Sequence, residues 1–266
     1  MGTDNSERHQ PVVALERRLR DCRNVITLGV KPNFGDYRPK ERSLIIRAKK
    51  IYYPSPFYAD LFNSMGKDTF PSYHNYKCVQ DKIKQTALFE MTGIPHPKTR
   101  VFYGRRQWQK IRDHFDFPFV AKVARGSALG KGVFLIRNSD DLKTYLACCH
   151  PAYIQAYLPV DRDIRLVVIG RQVVHAYWRI APPDDFRTNV AVGGTVSLDP
   201  VSKTAIDLAL DTACRCGWDD VGLDICQYDG KYYVLEANMK YGKEGFRKAG
   251  IDYVRLMEQM ITDGEI

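Results

Sequence analysis

The 266-residue sequence has no apolar run long enough to span a membrane and no N-terminal targeting pattern. A membrane-crossing helix needs about 20 mostly apolar residues. The opening residues, MGTDNSERHQ, also lack the basic and then apolar order of a secretory signal peptide. These absences predict a cytoplasmic protein without a membrane partner. The composition, with 44% hydrophobic and 27% charged residues, is typical of a globular protein with a sizeable core.

The chain also lacks a paired-cysteine framework. Its seven cysteines are an odd number and form no Cys-x-x-Cys motif. Cys214 and Cys216 fall in a predicted helix, where residues two apart point in different directions. We therefore expect reduced thiols, with Cys214 and Cys216 filling the core rather than binding zinc.

Negative charge is in the minority, since the net charge is +9. A basic chain favours a polyanionic partner, and a nucleotide, a nucleic acid, the ribosome or an acidic peptide would each satisfy that preference. Aromatic residues lie within the basic runs, so a nucleic-acid surface stays open as an alternative to a solvated face.

Hydrophobic periodicity and turn residues predict an α+β protein in which helices cover antiparallel sheets. Two hairpins are predicted, with turns at Gly170-Arg171 and around Asp229-Gly230. The predicted helices are 12–21, 57–65, 76–92, 106–115, 139–149, 200–216 and 253–260. The predicted strands are 24–30, 44–53, 119–124, 133–136, 153–158, 164–169, 172–178, 221–227 and 232–237.

The second hairpin carries three oxygen ligands of the kind that magnesium prefers, Asp224, Glu236 and Asn238. Glu236 and Asn238 share one strand face because they are two residues apart. A strict two-residue turn would point Asp224 away from them. A three-residue loop, 228–230, with a left-handed glycine would instead place Asp224 on the same face as Glu236 and Asn238. A metal site therefore predicts the three-residue loop; the alternative is an acidic pair on a solvated face.

A glycine-rich loop, 126–132, joins two predicted strands and follows Lys122. It is not a P-loop, because three residues instead of four separate its first glycine from Gly130-Lys131. Such a loop can still fold over a triphosphate and offer backbone NH groups to it, with Lys122 meeting the phosphates. The alternative is a glycine-rich turn beside an exposed lysine.

A third set lies in residues 179–195 and contains Arg179, Arg187, Asn189 and the pair Gly193-Gly194. Guanidinium groups stabilise negative charge that develops on a phosphoryl or tetrahedral centre. Taken alone, these residues would be read as loop surface.

The order of these features resembles the ATP-grasp superfamily and, within it, the RimK-type α-L-glutamate ligases. The resemblance covers about residues 76–255 and rests on Asp81-Lys82, PFVAKVARGSALGKGVFLI, DIRLVVIGRQVV, DDFRTN with its downstream GG, and VGLDICQYDGKYYVLEAN. It implies an ATP-grasp fold, in which two α+β lobes enclose the nucleotide. Residues 1–75 would form a reduced N-terminal domain. The ATP-grasp domain would be 76–266, with a helical lead-in (76–115), a lid lobe (116–158) and a metal and substrate lobe (159–266).

The resemblance also implies roles for individual residues. Arg187 and Arg179 would hold the acyl phosphate, while Asp224, Glu236 and Asn238 would bind two Mg²⁺ ions, with Mn²⁺ as an alternative. The residues implied in ATP binding are Lys82, Lys122, Gly126, Ser127, Gly130, Gly132, Gln155, Ala156, Tyr157, Leu158, Asp163 and Asn189.

The implied activity is that of a Mg-ATP-dependent carboxylate-amine ligase that acts through an acyl phosphate. The substrates would be glutamate or a related amino acid and a peptide, protein or small acceptor. Ala156, Val192 and the stretch 239–242 depart from the family pattern, which leaves the acceptor and the activity itself open. A small-molecule kinase of the same fold and a non-catalytic nucleotide- or nucleic-acid-binding module are the alternatives. A homo-oligomer is left open.

Overall fold

The computed structural model of this chain describes residues 11–127, 132–188 and 193–266. They form two compact units. The first comprises the described residues up to Tyr76 together with Gly250–Ile266, and the second spans Lys77–Ala249. No helix within these described ranges is long and apolar enough to cross a membrane.

Strands and helices of the described residues are numbered separately in chain order. The strands are β1 (Val12–Ala14), β2 (Val25–Thr27), β3 (Lys50–Tyr52), β4 (Asp68–Phe70), β5 (Thr99–Phe102), β6 (Phe119–Lys122), β7 (Val133–Ile136), β8 (Ala152–Ala156), β9 (Arg162–Ile169), β10 (Gln172–Ile180), β11 (Thr195–Ser197), β12 (Asp220–Tyr228) and β13 (Lys231–Asn238). The helices are α1 (Pro39–Arg47), α2 (Pro56–Ser64), α3 (Tyr73–Cys78), α4 (Lys82–Thr92), α5 (Gly104–Trp108), α6 (Ile111–His114), α7 (Ser139–Cys148), α8 (Lys203–Cys216), α9 (Glu244–Lys248) and α10 (Tyr253–Thr262).

The first unit contains a parallel sheet in the order β2-β1-β3-β4. The predicted helix at 12–21 is wrong, because Val12–Ala14 forms the inner strand β1 and is followed by a short 3-10 turn. Val13, Ala14 and Leu15 are fully buried in succession, as expected for a strand covered on both faces.

The predicted strand at 44–53 is also wrong over most of its length, because α1 occupies its first residues and only Lys50–Tyr52 forms a strand. Pro39 lies at the start of α1. The Glu41 carboxylate accepts from the Arg38 backbone N–H at 2.8 Å in a capping box, which marks a helix start. Ile45 is buried while Ile46 is 51% exposed, so this apolar run follows a helical face.

The second unit contains two antiparallel sheets, one ordered β11-β10-β9-β12-β13 and the other β5-β8-β6-β7. Helices α4 and α8 pack on the five-stranded sheet, and their apolar faces form one core with Leu166, Leu223 and Val234. Helix α7 packs on the four-stranded sheet, where Leu142 and Tyr145 join a separate core. The predicted Gly170-Arg171 hairpin turn is confirmed, since Ile169 pairs with Gln172.

Several predicted helix ends are correct and others are not. Gly93 and Gly217 end α4 and α8 in the left-handed conformation, with φ of 70° and 68°. The single helix predicted over 76–92 is divided, because Asp81 accepts from the Lys84 backbone N–H at 3.1 Å and starts a new helix. The helix predicted at 106–115 is likewise two short helices, α5 and α6.

The seven cysteines all lie in the described residues and form no disulfide. Cys216 is buried in the core on the inner face of α8, as predicted, but Cys214 is exposed. The prediction that both fill the core is therefore wrong for Cys214, because residues two apart on a helix face different directions.

Candidate active site

The β12–β13 hairpin places the predicted metal ligands on one face, but through a β-bulge and not through the predicted three-residue loop. Tyr228 pairs with Lys231, so the turn consists of Asp229 and Gly230 alone, with φ of 48° and 72°. The predicted three-residue loop is thus wrong, since Asp-Gly forms the two-residue turn for which its positive φ angles are suited. The register then shifts, because Asp224 pairs with Glu236 while the next residue, Ile225, pairs with Val234.

This shift is a β-bulge at Leu235, the residue left without a partner in the ladder. One extra residue in β13 inverts the side-chain alternation beyond it. Glu236 therefore faces the same side of the sheet as Asp224, and Asn238, two residues further on, shares that face. The bulge, and not the turn, therefore places Asp224 and Glu236 on the same face.

Asp224 lies at the centre of a buried charge network on this face. Its carboxylate accepts from Arg165 Nε at 2.5 Å and Arg165 Nη2 at 3.1 Å, and Arg179 Nη2 lies 2.9 Å from Oδ2. Asn238 Nδ2 donates to the same Oδ2 at 3.1 Å. Arg179 also donates to both oxygens of Asp163, at 2.7 and 2.6 Å. Neighbouring strands create these pairs, because Arg165 lies opposite Asp224 and Arg179 opposite Asp163.

The network stays ionised although it is buried. Burial opposes the charge on Asp224, but Arg165 and Arg179 outweigh it and hold the pKa of that carboxyl below its ordinary value. Burial likewise opposes the charge on Arg179, and Asp163 and Asp224 more than compensate, so the pKa of Arg179 is raised. Each residue's charge is therefore fixed by its partners.

Two lysines face the carboxylates from other elements. Lys82, at the start of α4, has Nζ 3.1 Å from Glu236 Oε1 and donates to the Ser127 carbonyl at 3.4 Å. Lys122 ends β6, a strand buried along its whole length. Burial is the largest influence on the pKa of Lys122 and lowers it, although Glu236 acts in the opposite direction. A lysine whose charge is poorly compensated is suited to an anionic ligand.

The glycine loop is anchored at its base to the start of α4. Gly126 N donates to the Gln80 carbonyl at 3.0 Å, and Arg125 Nε donates to Asp81 Oδ2 at 3.0 Å. Gly126 and Gly132 have φ of +69° and +78°, which favours glycine at both ends of the loop. A Cβ at Gly132 would also lie 2.6 Å from Val123 Cγ2. Gly130, predicted within the lid, lies outside the described residues.

The predicted ATP-binding segment 155–158, which we call the hinge, and the segment that carries Phe186, Arg187 and Thr188, which we call the arginine loop, meet through aromatic rings. Tyr157 and Phe186 are in edge-to-face contact, with ring centroids 6.1 Å apart. Thr188 Oγ1 donates to Asp163 Oδ2 at 2.7 Å, which ties the loop to the buried network. Arg187 Nε donates to Asp185 Oδ1 and Oδ2, each at 3.0 Å. Asn189 lies outside the described residues.

One cavity gathers most of the predicted site residues. The predicted residues that line it are Lys82, Lys122, Ser127, Gln155, Ala156, Tyr157, Leu158, Asp163, Arg179, Arg187, Asp224, Glu236 and Asn238. Gly126 and Gly132 are described but are not among the lining residues. The predictions missed an apolar wall, a threonine and an aromatic residue that also line it: Val120, Val133, Val160, Leu235, Thr188 and Phe186.

Arg165 was missed as well, although the sequence carries a signal for it. It lies two residues after Asp163, which precedes the predicted strand 164–169, and the observed strand β9 carries both, so the two side chains share a face. Arg165 contacts Asp224 from behind the cavity lining and is 7% exposed. Its contacts make it a support for Asp224.

The donor chemistry of the face fits a hard divalent cation. Among the described residues there is no group of three or more His, Cys, Asp or Glu side chains that could hold a metal ion. The candidate ligands are therefore two carboxylates and an amide, Asp224, Glu236 and Asn238, which offer oxygen donors only. This set suits magnesium better than zinc.

Comparison with known proteins shows the family of this chain. The family profile of the RimK-like ATP-grasp domain matches residues 79–261. The chain is 30% identical over 182 residues to beta-citrylglutamate synthase B of Danio rerio, covering 64% of this chain and 44% of that protein. It is 33% identical over 181 residues to the coenzyme gamma-F420-2:alpha-L-glutamate ligase of Methanocaldococcus jannaschii, covering 65% of this chain and 62% of that protein. The chain thus spans less than two thirds of the length of either relative.

Solved structures agree on the architecture. The fold is similar, with a TM-score of 0.69, to that of the ATP-grasp ligase PsnB complexed with a phosphomimetic variant of minimal precursor, Mg and ADP. The two chains share 17% identity, and the match covers 96% of this chain and 98% of that one. The prediction of an α+β ATP-grasp fold is confirmed. The chain belongs to the RimK-like ATP-grasp family.

Proposed function

We propose that this chain is a Mg-ATP-dependent carboxylate-amine ligase, which activates a carboxylate as an acyl phosphate and couples it to an amine. The observation that carries the proposal is the single cavity in which two lysines, two arginines and the Asp224, Glu236 and Asn238 set converge. In-line phosphoryl transfer requires mainly positioning and charge stabilisation, and this cavity offers both.

The nucleotide would occupy the part of the cavity with an apolar wall. Val120, Val133 and Leu235 would contact the adenine, and the backbone of 155–158 would bind its polar edge, with Asp163 near the ribose. Lys82 and Lys122 would meet the phosphates, and the loop between Gly126 and Gly132 would fold over them. Lys82 already pairs with the anionic oxygen of Glu236, and this supports the assignment. A phosphate oxygen is also anionic and could take the place of that carboxylate as the partner of the lysine.

Asp224, Glu236 and Asn238 would hold the metal, which we propose to be two Mg²⁺ ions, with Mn²⁺ as a substitute. A divalent cation held by these residues would supply positive charge to offset the charge of the nucleotide phosphates. Both carboxylates are ion-paired with basic side chains, and the nucleotide and cation would displace only the pair between Lys82 and Glu236. Phosphate would replace Glu236 as the partner of Lys82, and Arg165 and Arg179 would hold Asp224 in place.

The arginines would hold the acyl phosphate. Arg179 is fixed by Asp163 and Asp224, whereas Arg187 pairs with Asp185 of its own loop and its side chain is 30% exposed. Arg179 therefore provides a rigid guanidinium and Arg187 a guanidinium that can exchange its partner for substrate. The amine would then displace phosphate, giving ADP and phosphate, without a covalent nucleophile from the chain.

For the substrates, we propose glutamate or a related amino acid and a peptide, protein or small acceptor, in keeping with the names of the relatives. A cytoplasmic location would supply the ATP. The ATP-grasp domain would be 76–266, with 116–158 as the lid lobe and 159–266 as the metal and substrate lobe.

The test is the release of ADP and phosphate from Mg-ATP across a panel of amino acids and acidic peptides. We compare the unchanged protein with Glu236→Ala and with Glu244→Ala, whose carboxylate pairs with Arg247 and does not line the cavity. We expect release that requires one acid and one amine together, is lost in Glu236→Ala and persists in Glu244→Ala. Phosphate transfer to an acceptor that has a hydroxyl but no carboxylate would instead identify a kinase. ATP binding without any turnover would identify a binding module.

A further inference from the structure

Two adjacent cysteines at the end of α7 form a dithiol that the proposed reaction does not use. Cys148 is exposed and Cys149 is buried, and their sulfur atoms are 3.5 Å apart. Neither residue lines the nucleotide cavity. Nothing in the ligase chemistry requires a thiol at this position, so the pair suggests a separate role.

We propose that Cys148 and Cys149 form a binding site for a trivalent arsenical, which joins both sulfurs through one arsenic atom. The separation of the sulfurs supports a one-atom bridge. If each sulfur lies about 2.3 Å from the bridging atom, the length of a zinc–thiolate bond, a 3.5 Å separation gives an S–X–S angle of about 100°. That is close to the angle of a pyramidal trivalent centre.

The same geometry disfavours the two other products of a dithiol. A direct disulfide usually needs Cα atoms at least about 4.4 Å apart, whereas neighbouring Cα atoms are about 3.8 Å apart across a trans peptide. Structural zinc takes four ligands, and the described residues contain no group of three or more His, Cys, Asp or Glu side chains for a metal. A monosubstituted arsenical needs only two sulfurs from the protein, because it carries its own third substituent.

The two thiols differ in reactivity, and this difference determines which sulfur binds arsenic first. Burial is the largest influence on the pKa of Cys149 and helps to raise it to about 11, so this sulfur remains a thiol at neutral pH. The exposed Cys148 would therefore react first and Cys149 second, within the same complex. At each sulfur an S–H and an As–OH bond break, an S–As bond forms and water leaves. No atom is oxidised or reduced, so the reaction needs no further reagent.

Direct hydrogen bonds connect the dithiol to the cavity. Cys149 N donates to the Tyr145 carbonyl at 3.0 Å, and the one proton of the Cys148 thiol faces the Tyr145 carbonyl at 3.5 Å and the Thr144 carbonyl at 3.6 Å. The Tyr145 hydroxyl donates to the Lys122 carbonyl at 2.8 Å and accepts from Tyr153 N at 2.9 Å. Losing the Cys148 proton removes one bond to this turn, so the adduct would shift Tyr145 and, through it, Lys122. This second step rests on the proposed role of Lys122 in ATP binding.

The first experiment measures the adduct without nucleotide. The protein is treated with phenylarsine oxide in the presence of excess glutathione, which competes with single thiols but not with a chelating pair, and the intact mass is recorded. We expect one phenylarsenic group per chain, released by 2,3-dimercaptopropanol. It should be absent in Cys148→Ser and retained in Cys214→Ser, which removes the exposed cysteine of α8. Because Cys148 is exposed, its variant is expected to fold, which circular dichroism checks.

An unmodified wild-type mass, or equal labelling of Cys148→Ser, overturns the dithiol site whatever the protein catalyses. The second experiment compares ATP affinity with and without the adduct by equilibrium dialysis. We expect binding at least about fivefold weaker in the adduct, and by reciprocity the same loss of arsenical affinity when ATP is bound. An adduct that leaves ATP affinity unchanged refutes the link through Tyr145. A protein that forms the adduct but binds no ATP in either state contradicts the proposed function, not the dithiol site.

Discussion

Replacing Asp224 by asparagine tests whether this residue supports the sheet as well as the proposed metal site. Its carboxylate lies between Arg165 and Arg179, and the three side chains are at most 8% exposed. At an effective dielectric constant of about 20, an ion pair at about 3 Å is worth about 6 kcal/mol before desolvation. Desolvation takes back much of this energy. Removing one partner of a buried pair nonetheless costs about 3 to 5 kcal/mol, because a buried charge is left uncompensated.

Asp185→Asn is the matched control. Asp185 also pairs with an arginine at 2.5 to 3.0 Å, but the side chains of Asp185 and Arg187 are 19% and 30% exposed. Because such a pair is hydrated, its loss is expected to cost about 1 kcal/mol or less. The two variants remove the same kind of charge and differ mainly in burial, so their difference measures the effect of the buried network.

Urea unfolding followed by tryptophan fluorescence, without nucleotide or magnesium, is the assay. The three tryptophans, Trp108, Trp178 and Trp218, all lie in the second unit, so the signal reports the unit that contains the network. We expect the free energy of unfolding to fall by about 3 to 5 kcal/mol in Asp224→Asn. A loss of about 1 kcal/mol or less in Asp224→Asn, equal to that of Asp185→Asn, would refute the reasoning.

Three further predictions concern the loop, the first unit and the hinge. Gly132→Ala should weaken ATP binding and lower the thermal midpoint more than Gly126→Ala does. Both variants place alanine at a positive φ, but only the Gly132 variant also brings its Cβ into close contact with neighbouring atoms. Equal effects of the two variants would contradict this. Glu41→Gln should lower the thermal midpoint at pH 7, because its guanidinium partner lowers the pKa of Glu41 to about 2. The difference in thermal midpoint between the unchanged protein and Glu41→Gln should shrink as the pH falls below about 4.3, the pKa of glutamate in the unfolded chain. It should vanish near the pKa of Glu41 in the folded protein, and a difference that grows in acid would contradict the prediction. Phe186→Ala should raise the KM for ATP about 2- to 10-fold, since the ring contact with Tyr157 is worth about 0.5 to 1.5 kcal/mol; an unchanged KM would separate the arginine loop from the hinge.

Elements with local end signals were predictable from the sequence. The end of α4 at Gly93, the end of α8 at Gly217 and the two-residue Gly170-Arg171 turn depend on neighbouring residues only. The first unit was harder, because short apolar runs fit either a strand or a helix. Whether Val12–Ala14 pairs with β2 and β3 is decided by residues distant in sequence, which a local pattern does not contain.

The site divides in the same way. Most of the residues predicted from sequence motifs line one cavity, because the order of the motifs was informative. Arg165, which supports Asp224 from behind, and Val120 and Val133, which complete the wall, lie inside the quoted motifs, but the motifs assign them no role. They become visible only when strands are paired, since their role is defined by the residue opposite.

The β12–β13 hairpin shows how a correct geometric requirement can lead to a wrong structural device. The requirement that Asp224 and Glu236 share a face was sound, but local chemistry fixes the turn, and the correction occurs further along the strand at Leu235. The shift is visible in the spacing of the core residues of β13. Val234 and Ala237 both join the core, and residues three apart cannot share a face of a regular strand. Leu235 and Glu236 must then both face the cavity, as they do. A strand whose core positions change parity therefore predicts a bulge between them, and in this hairpin that bulge places the two carboxylates on one face.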